Sequence, residues 1–202
     1  MPDWPRTVTR GEFEPPFLTN APIWRAFSGQ QPLHSSAVWH SNSGDGIYTP
    51  IYLHRRMLVK KLYAFNGATV SGNCCIALYS SANWDGGAPA RFGSYSYSVP
   101  STRLATSGSV AQSGTNAWQA FDVTDVLLDP GLYWLAYALD NATSTVTRLA
   151  SIAVPASSNY GWPFAPFFRT SNVFPLPDPG LAWFLQSSDT YSVPLLAMGG
   201  LA

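Results

Sequence analysis

The alternation of apolar and polar residues predicts several short β-strands between residues 51 and 152. Turn-forming sequences separate the apolar runs, for example Asn66-Gly67 and Asp129-Pro130-Gly131, because Gly, Asn and Pro favour tight turns between strands. Short strands at near-regular spacing are typical of a sandwich or a barrel. The predicted strands are residues 51–65, 73–79, 94–99, 103–108, 117–123, 132–139 and 144–152.

The predicted strand at residues 132–139 is apolar on both of its faces. Successive side chains of a strand point to opposite sides, so Leu135 and Tyr137 share one face while Trp134 and Ala136 share the other. An antiparallel strand with one face in water alternates between apolar and polar residues, and this strand does not. We therefore expect its second face to be covered, either deep inside a sandwich or by another chain.

Two pairs of identical neighbours lie within the predicted strands. Lys60 and Lys61 point to opposite faces of a regular strand, so either one lysine faces the covered side or a β-bulge turns it outward. Cys74 and Cys75 also point to opposite faces. This geometry disfavours a disulfide between them and predicts two small buried side chains.

Both ends of the chain depart from strand periodicity. Residues 1–50 and 155–202 are rich in Pro and aromatic residues, and Pro favours extended, loop-like segments. We predict an N-terminal arm at 1–50, a β-sandwich domain at 51–154, and a C-terminal arm or returning strands at 155–202, packed on the sandwich or on a neighbour. Disordered linkers are poor in aromatic residues, so these arms are expected to be ordered and to carry interface anchors. The candidate anchors are Trp4, Trp24, Trp39, Trp162, Phe164 and Phe167.

The composition favours a subunit of an assembly. Charged residues make up 11% of the 202-residue chain, aromatic residues 14%, and the formal net charge is zero. Protein interfaces are enriched in aromatic residues and depleted in Lys and Glu, and a weakly charged free protein tends to associate. We therefore expect a homo-oligomer. Without a basic excess, no nucleic-acid partner is expected.

We expect neither a secretion signal nor a membrane-spanning segment in this sequence. Its first ten residues, MPDWPRTVTR, lack the apolar core of a secretion signal, and no apolar run approaches the roughly 18 residues that a membrane helix needs. We expect assembly in a cytoplasm, without membrane insertion.

The sequence contains no recognisable catalytic set, so no enzyme activity and no cofactor are expected. There is no nucleophile elbow, phosphate-binding loop or dinucleotide fingerprint. His34 and His40 lie in the N-terminal arm without neighbouring Cys or Glu ligands. The one local acidic cluster is Asp122, Asp125 and Asp129, assigned to the turn after the predicted strand 117–123. Its oxygens either bind Ca²⁺ or accept backbone hydrogen bonds in that turn.

Two tryptophans are candidates for ligand contact. Trp84 falls in the loop Asn83-Trp84-Asp85-Gly86-Gly87, and Trp118 points away from the face shared by Phe121 and Val123. Aromatic faces at a sandwich edge stack on sugar rings or anchor a protein partner. The alternatives are a glycan contact, with Tyr95 and Tyr97 as further candidates, a protein interface, or packing against the protein's own core or arms.

The strand and turn motifs resemble a group of bacteriophage structural proteins. The resemblance covers about ninety residues. The segments that carry it are Leu62-Tyr63-Ala64-Phe65-Asn66-Gly67, Ile76-Ala77-Leu78-Tyr79-Ser80, residues 103–109, Ser113-Gly114-Thr115-Asn116 with Trp118-Gln119, and residues 128–136. The chain looks like the jelly-roll-type sandwich of minor tail, baseplate, fibre and head-decoration proteins, an architecture shared with carbohydrate-binding modules. The resemblance implies a virion role, trimers or larger rings, and no catalysis.

These lines of reasoning converge on an all-β fold, an antiparallel jelly-roll-like β-sandwich with extended N- and C-terminal arms. The expected function is a non-enzymatic structural component of a virion, assembled in the host cytoplasm with other virion proteins through apolar and aromatic contacts. The alternative function is a carbohydrate-binding adhesion module for a host surface glycan, in which Trp84 and Trp118 contact the sugar.

Overall fold

Antiparallel β-strands account for all the regular secondary structure in the described part of the chain. A computed structural model describes residues 17–19, 35–38, 44–84, 97–152, 168–180 and 191–201. The strands are β1 Phe17–Thr19, β2 Ser35–Val38, β3 Gly46–Leu53, β4 Met57–Phe65, β5 Asn73–Trp84, β6 Tyr97–Thr106, β7 Val110–Ala111, β8 Trp118–Leu128, β9 Gly131–Leu139, β10 Thr145–Ile152, β11 Phe168–Thr170, β12 Tyr191–Pro194 and β13 Leu196–Leu201.

The strands form three sheets. A four-stranded sheet has the order β1-β13-β4-β8, and a six-stranded sheet contains β11-β3-β9-β5-β6, with β7 also paired to β5. A three-stranded sheet, β12-β10-β2, is tied to the end of β4 by an isolated bridge between Asn66 and Val146. The predicted all-β class and the antiparallel β-sandwich are confirmed, whereas the jelly-roll connectivity stays a prediction.

The main core lies between the four-stranded and six-stranded sheets. Side chains from the inner faces of both sheets meet there, and the burial of apolar surface drives this packing at roughly 25 cal/mol per Å². The six-stranded sheet contributes Ile51, Ile76 and Leu135, among others, and the four-stranded sheet contributes Leu62, Phe121 and Met198.

The predicted strand 51–65 is two strands in different sheets. β3 belongs to the six-stranded sheet and β4 to the four-stranded sheet. The polar triplet His54-Arg55-Arg56 separates them and is exposed, so the chain crosses from one layer of the sandwich to the other at these three residues. The prediction was wrong because the apolar residues on either side of the triplet read as one continuous pattern.

Three other strands are longer than predicted. β5 continues from the predicted end at Tyr79 to Trp84. The predicted strands 94–99 and 103–108 form the single strand β6, which lies at the edge of its sheet and contains Pro100. An edge strand tolerates Pro because one side of its backbone needs no ladder partner. β8 continues from the predicted end at Val123 to Leu128. The region predicted to hold a C-terminal arm or returning strands contains β12 and β13.

A bulge resolves the position of the two lysines. The pairing of β4 with both of its neighbours shifts register between Val59 and Lys61. Val59 and Leu62 therefore both point into the core although an odd number of positions separates them. Neither Lys60 nor Lys61 is buried, so the bulge turns both lysines away from the core.

Short strands from the regions assigned to the arms pair with the central strands. β1 pairs with β13, β2 pairs with β10, and β11 pairs with β3. β3 itself begins at Gly46, before residue 51, where the predicted sandwich domain starts. No helix among the described residues is long and apolar enough to span a membrane.

Candidate functional site

The outer face of the six-stranded sheet carries a second apolar cluster. Tyr48 of β3, Tyr79 of β5 and Trp134 of β9 are fully buried on this face. Across neighbouring strands, Gly46, Ala138 and Cys75 stand side by side and form a floor without bulky side chains. We call this face, from Gly46 to Val99, the outer groove; its buried apolar members are Tyr48, Cys75, Ala77, Tyr79, Trp134, Ala136 and Ala138.

A ten-residue segment of the same chain covers the outer groove. Residues 171–180, which we call the covering segment, bury Val173 and Leu176 in the cluster, with Phe174 half-buried beside them. A Cβ added to Gly46 would meet the side chains of Val173, at 2.7 Å, and Leu176, at 3.1 Å. The second face of β9, for which the sequence left two possibilities open, is thus covered by the chain itself.

Polar contacts hold the covering segment along its length. The Tyr79 hydroxyl donates to the Pro177 carbonyl at 2.6 Å, and Arg103 Nη1 donates to the Leu176 carbonyl, also at 2.6 Å. Asp178 accepts a hydrogen bond from the backbone N–H of Arg103 at 3.0 Å. Burial raises the pKa of Tyr79 well above its ordinary value, so its hydroxyl remains a protonated donor at physiological pH.

The ends of the covering segment bond to the backbone of the sheet. The Val173 N–H donates to the Gly44 carbonyl, and the Gly180 N–H donates to the Ser101 carbonyl, each at 2.7 Å. Gly180 lies so close to Tyr79 and Pro100 that an added Cβ would approach both side chains to about 3 Å. The segment is therefore attached at both ends and in the middle.

The three aspartates proposed for Ca²⁺ each form an ion pair with a different cation. Lys61 pairs with Asp122 and Lys60 with Asp125, both at 3.1 Å, and Arg56 pairs with Asp129 at 2.8 Å. Asp122 and Asp125 lie within β8 rather than in a turn, which corrects the sequence assignment. The described residues contain no group of three or more His, Cys, Asp or Glu side chains placed to hold a metal ion.

The other candidate chemical groups serve packing where they are described. Cys74 and Cys75 are buried and free, and they lie in the two different core clusters, as their adjacent positions predicted. Burial raises the pKa of Cys74 to about 11, which keeps its thiol protonated and unreactive. The ring of exposed His54 contacts Tyr52, with centroids 4.9 Å apart; His34 and His40 lie outside the described residues.

The structure describes only part of the aromatic set. Trp118 begins β8 and is half-buried; its ring contacts Phe65 edge-to-face, with centroids 5.1 Å apart, at the margin of the main core. Trp84 ends β5 rather than lying in a loop, and its side chain lies outside the described residues, as does that of Tyr97. The remaining candidates also lie outside the described residues: Trp4, Trp24, Trp39, Tyr95, Trp162, Phe164 and Phe167.

A network of buried amides joins two loops and the start of β8 at one end of the sandwich. Asn66 Nδ2 donates to Gln119 Oε1 at 3.0 Å and to the Ser113 carbonyl at 2.5 Å. Gln112 Nε2 donates to Asn66 Oδ1 at 3.0 Å, and its own Oε1 accepts from the Ser71 N–H. Because buried amides are costly unless paired, this network fixes the loops after β4 and β7 against each other.

The loop between β9 and β10 belongs to the same end of the molecule. Asn141 Oδ1 accepts hydrogen bonds from Thr143 and Ser144, and Asn141 Nδ2 donates to the Ser71 carbonyl at 2.8 Å. The Asp140 carboxylate accepts from the backbone and side chain of Asn73, both at 2.8 Å. These contacts give the polar loop residues a structural role.

Sequence reasoning missed the outer groove and its covering segment as a unit. The visible signal was the alternation of Pro with larger residues in Phe174-Pro175-Leu176-Pro177-Asp178-Pro179. That alternation indicates an irregular segment outside the regular strands, but it does not say which sheet face the segment covers. The amide network was also missed, although its two loops contain the turn sequences Asn66-Gly67 and Ser113-Gly114.

Comparisons with protein families and with curated proteins identify no relative of this chain. The chain matches no protein-family model, and a search of curated proteins finds no match.

Proposed function

We propose that this protein is a non-enzymatic structural component of a bacteriophage virion, in a tail, baseplate, fibre or capsid-decoration position. In this proposal it assembles into a homo-oligomer, a trimer or a larger ring, through apolar and aromatic contacts with its own copies and with other virion proteins. The jelly-roll resemblance of the central strands motivates the virion context.

The observation that carries the proposal is the way the chain covers its own sheets. A Pro-rich segment of the same chain seals an apolar sheet face by burying Val173 and Leu176 in the outer groove. Short strands from the terminal regions add to the edges of the central sheets. The same contacts, apolar side chains in a groove and backbone pairing at an edge, hold neighbouring subunits together in assemblies. In this proposal Trp4, Trp24 and Trp39 are further anchors of this kind.

The chemistry of the described residues is in keeping with a structural role. The acidic side chains of β8 are paired with Lys60 and Lys61 across the strands, and the buried amides are bonded to one another and to loop backbone. These groups stabilise loops and strands.

A truncation tests the proposal. Deleting residues 1–30 removes Trp4, Trp24 and the short strand β1 but leaves the strands of the main core. We expect the truncated chain to remain folded, with β-type circular dichroism and a cooperative melt. Size-exclusion chromatography with light scattering is expected to show fewer copies per oligomer than for the full chain. The matched control is Ser109→Ala in an exposed loop. A full chain that is monomeric at all concentrations would contradict the proposal.

A carbohydrate-binding adhesion module is the second candidate function. The half-buried pair of Phe65 and Trp118 favours it, because aromatic rings at a sandwich margin stack on sugars. Glycan-array binding that disappears in Trp118→Ala or Trp84→Ala, with the melting temperature retained, would support this role. Unchanged binding in both variants would exclude these two residues as the sugar contacts.

A further inference from the structure

The outer face of the four-stranded sheet carries a strip of half-buried aromatic rings. Phe65 pairs with Trp118 across β4 and β8, and two positions along both strands the next pair is Tyr63 with Ala120. Leu62 points into the main core, so the alternation of side chains places the two pairs on the opposite face of the sheet. The three rings are half-buried and Ala120 is exposed. We call these four residues the aromatic strip.

The ring of Tyr63 lies along the sheet rather than standing away from it. A Cβ added to Gly199 of β13 would lie 2.9 Å from Cε2 of Tyr63 and 3.3 Å from its hydroxyl oxygen. The ring therefore occupies the space that a side chain at Gly199 would take. On the other side of Tyr63, the paired residue of β8 is the small and exposed Ala120. The strip is thus a low platform with no bulky side chain at the positions paired with Tyr63 and Gly199.

An exposed ion pair borders the aromatic strip. Lys61 Nζ lies 3.1 Å from Asp122 Oδ1, and the two residues are paired at the next outward positions of β4 and β8. The side chain of Lys61 is 44% exposed and that of Asp122 is 88% exposed, so the carboxylate is the more accessible of the two groups. A ligand on the strip would meet aromatic rings along its length and a hydrogen-bond donor and acceptor at one end.

The chemistry of this face fits a carbohydrate better than a second protein. The buried centres of protein interfaces are depleted in charged residues, and covering the Lys61–Asp122 pair with an apolar surface would remove both charges from water without new partners. A sugar presents apolar C–H groups to aromatic rings, and its hydroxyl groups donate to a carboxylate and accept from an ammonium group. Aromatic side chains with a few placed polar groups are the usual lining of small-molecule sites.

We propose that the aromatic strip binds a neutral oligosaccharide. Tyr63 and Trp118 stack on its sugar rings, and the Lys61–Asp122 pair bonds to its hydroxyl groups. Positions two apart along a strand are separated by about 7 Å, so the strip offers contact to more than one sugar unit. The inference rests on the second candidate function, carbohydrate binding, and names its site and its ligand class; it does not depend on the proposed assembly.

The charges of this face select a neutral ligand. Lys61 and Lys60 are balanced by Asp122 and Asp125 in two ion pairs, so the face has no excess positive charge to attract an acidic sugar. The accessible carboxylate of Asp122 would repel the carboxylate of such a sugar, and like-charge contacts of this kind reject a ligand.

An array of neutral and acidic oligosaccharides tests the proposal. We expect the parent protein to bind neutral members of the array. Isothermal titration with the neutral oligosaccharide that binds best is then expected to show at least about tenfold weaker binding for Tyr63→Ala, because the stacking platform is lost. The melting temperature of the variant verifies that it is folded.

A double variant keeps the test valid if Tyr63→Ala does not fold. Lys61→Ala/Asp122→Ala removes one exposed ion pair and leaves the net charge unchanged, and we expect it to bind the same oligosaccharide about tenfold more weakly. The matched control is Arg56→Ala/Asp129→Ala, which removes an exposed ion pair at the other end of β8 from Trp118 and is expected to stay within about twofold of the parent protein. Equal losses in the two double variants would overturn the location of the site.

The outcomes separate this inference from the other proposals. Binding that is lost in Trp84→Ala but unchanged in Tyr63→Ala and in Lys61→Ala/Asp122→Ala overturns the strip and leaves carbohydrate binding standing. A preference for acidic oligosaccharides overturns the ligand class. A change in the number of copies per oligomer in Tyr63→Ala, with glycan binding retained, makes the strip a protein interface and overturns the inference. A parent protein that binds no member of the array overturns the inference together with the second candidate function, and leaves the proposed assembly standing.

Discussion

Asn66 shows how one buried side chain organises an end of the sandwich. It is fully buried and bonds to Gln119, to Gln112 and to the Ser113 carbonyl. Its backbone also participates, because the Asn66 N–H donates to the Ala117 carbonyl. A polar residue in such a network specifies one arrangement of the surrounding loops, since every alternative arrangement leaves a buried amide unpaired.

We expect Asn66→Ala to lower the free energy of unfolding by about 3 kcal/mol, because Gln112 and Gln119 each lose a partner while remaining buried. Urea denaturation followed by circular dichroism measures the change. The control Ser109→Ala, at an exposed loop position, is expected to stay within about 0.5 kcal/mol of the parent protein. Equal midpoints for the two variants would show that the network adds no stability.

Asp140 gives the stability a pH dependence of known sign. Hydrogen bonds from Asn141 and from Asn73 hold the pKa of this carboxyl below its ordinary 3.8. The folded state therefore favours the carboxylate, and its contribution is present above that value and is lost as the pH falls through the lower folded pKa. We expect the stability difference between the parent protein and Asp140→Asn to be constant well above pH 3.8 and to shrink as the pH falls through and below that value, measured as urea midpoints. A constant difference would contradict the assignment.

At the scale of elements, the contact between β13 and β4 depends on a glycine at the bulge. The register shift between Gly199 and Gly200 lies opposite the shift in β4 that turns Lys60 and Lys61 outward. A Cβ on Gly200 would run into the carbonyl group of Leu58. The bulge and the glycine therefore act together: β13 can follow the bulged strand closely only where it has no side chain.

We expect Gly200→Ala to destabilise the protein by about 3 kcal/mol, because the backbones of β13 and β4 must separate to admit the methyl group. Thermal unfolding is the measurement. The matched control is Gly131→Ala in β9, where the nearest atom to an added Cβ is a ring carbon of Tyr133 at 3.8 Å and where a change of less than about 1 kcal/mol is expected. A control that loses as much as Gly200→Ala would contradict the close-approach argument.

The covering segment is the element that changes the interpretation of the sheet. The sequence showed that β9 is apolar on both faces and left open whether its own chain or another covers the second face. The structure places Leu176 and Val173 on that face. An apolar face indicates that another segment must cover it. Which segment does so depends on contacts between residues almost a hundred positions apart, such as Tyr79 with Pro177.

At the scale of the whole molecule, the low charge content governs behaviour in solution. Charged residues are 11% of the chain and balance to zero, and the exposed ion pairs of β4 with β8 cancel locally. Little electrostatic repulsion therefore opposes association of the protein with itself, so its tendency to associate depends mainly on apolar contacts.

We expect the solubility of the protein to be lowest near its isoelectric point of about 6.8 and to rise on both sides as net charge accumulates. Light scattering at constant protein concentration across a pH series measures this. A profile that is flat across the series would show that charge has no control over association.

The sequence by itself determined the all-β class, the positions of most central strands and the opposite faces of Cys74 and Cys75. These features follow from the alternation of side chains along a strand and from local turn residues, which are properties of neighbouring residues. The end of β8 was misplaced because the acidic residues of its outer face resemble a turn.

Only the tertiary structure decided how the layers are connected and covered. The division between β3 and β4 depends on which sheet each strand joins. The bulge at Lys60 depends on the register of β4 with its two neighbouring strands. The amide network depends on contacts between loops that are distant in sequence. The tertiary structure also decided which segment covers the outer groove. Each is a choice between arrangements that satisfy the local pattern equally, and the packing of distant residues makes that choice.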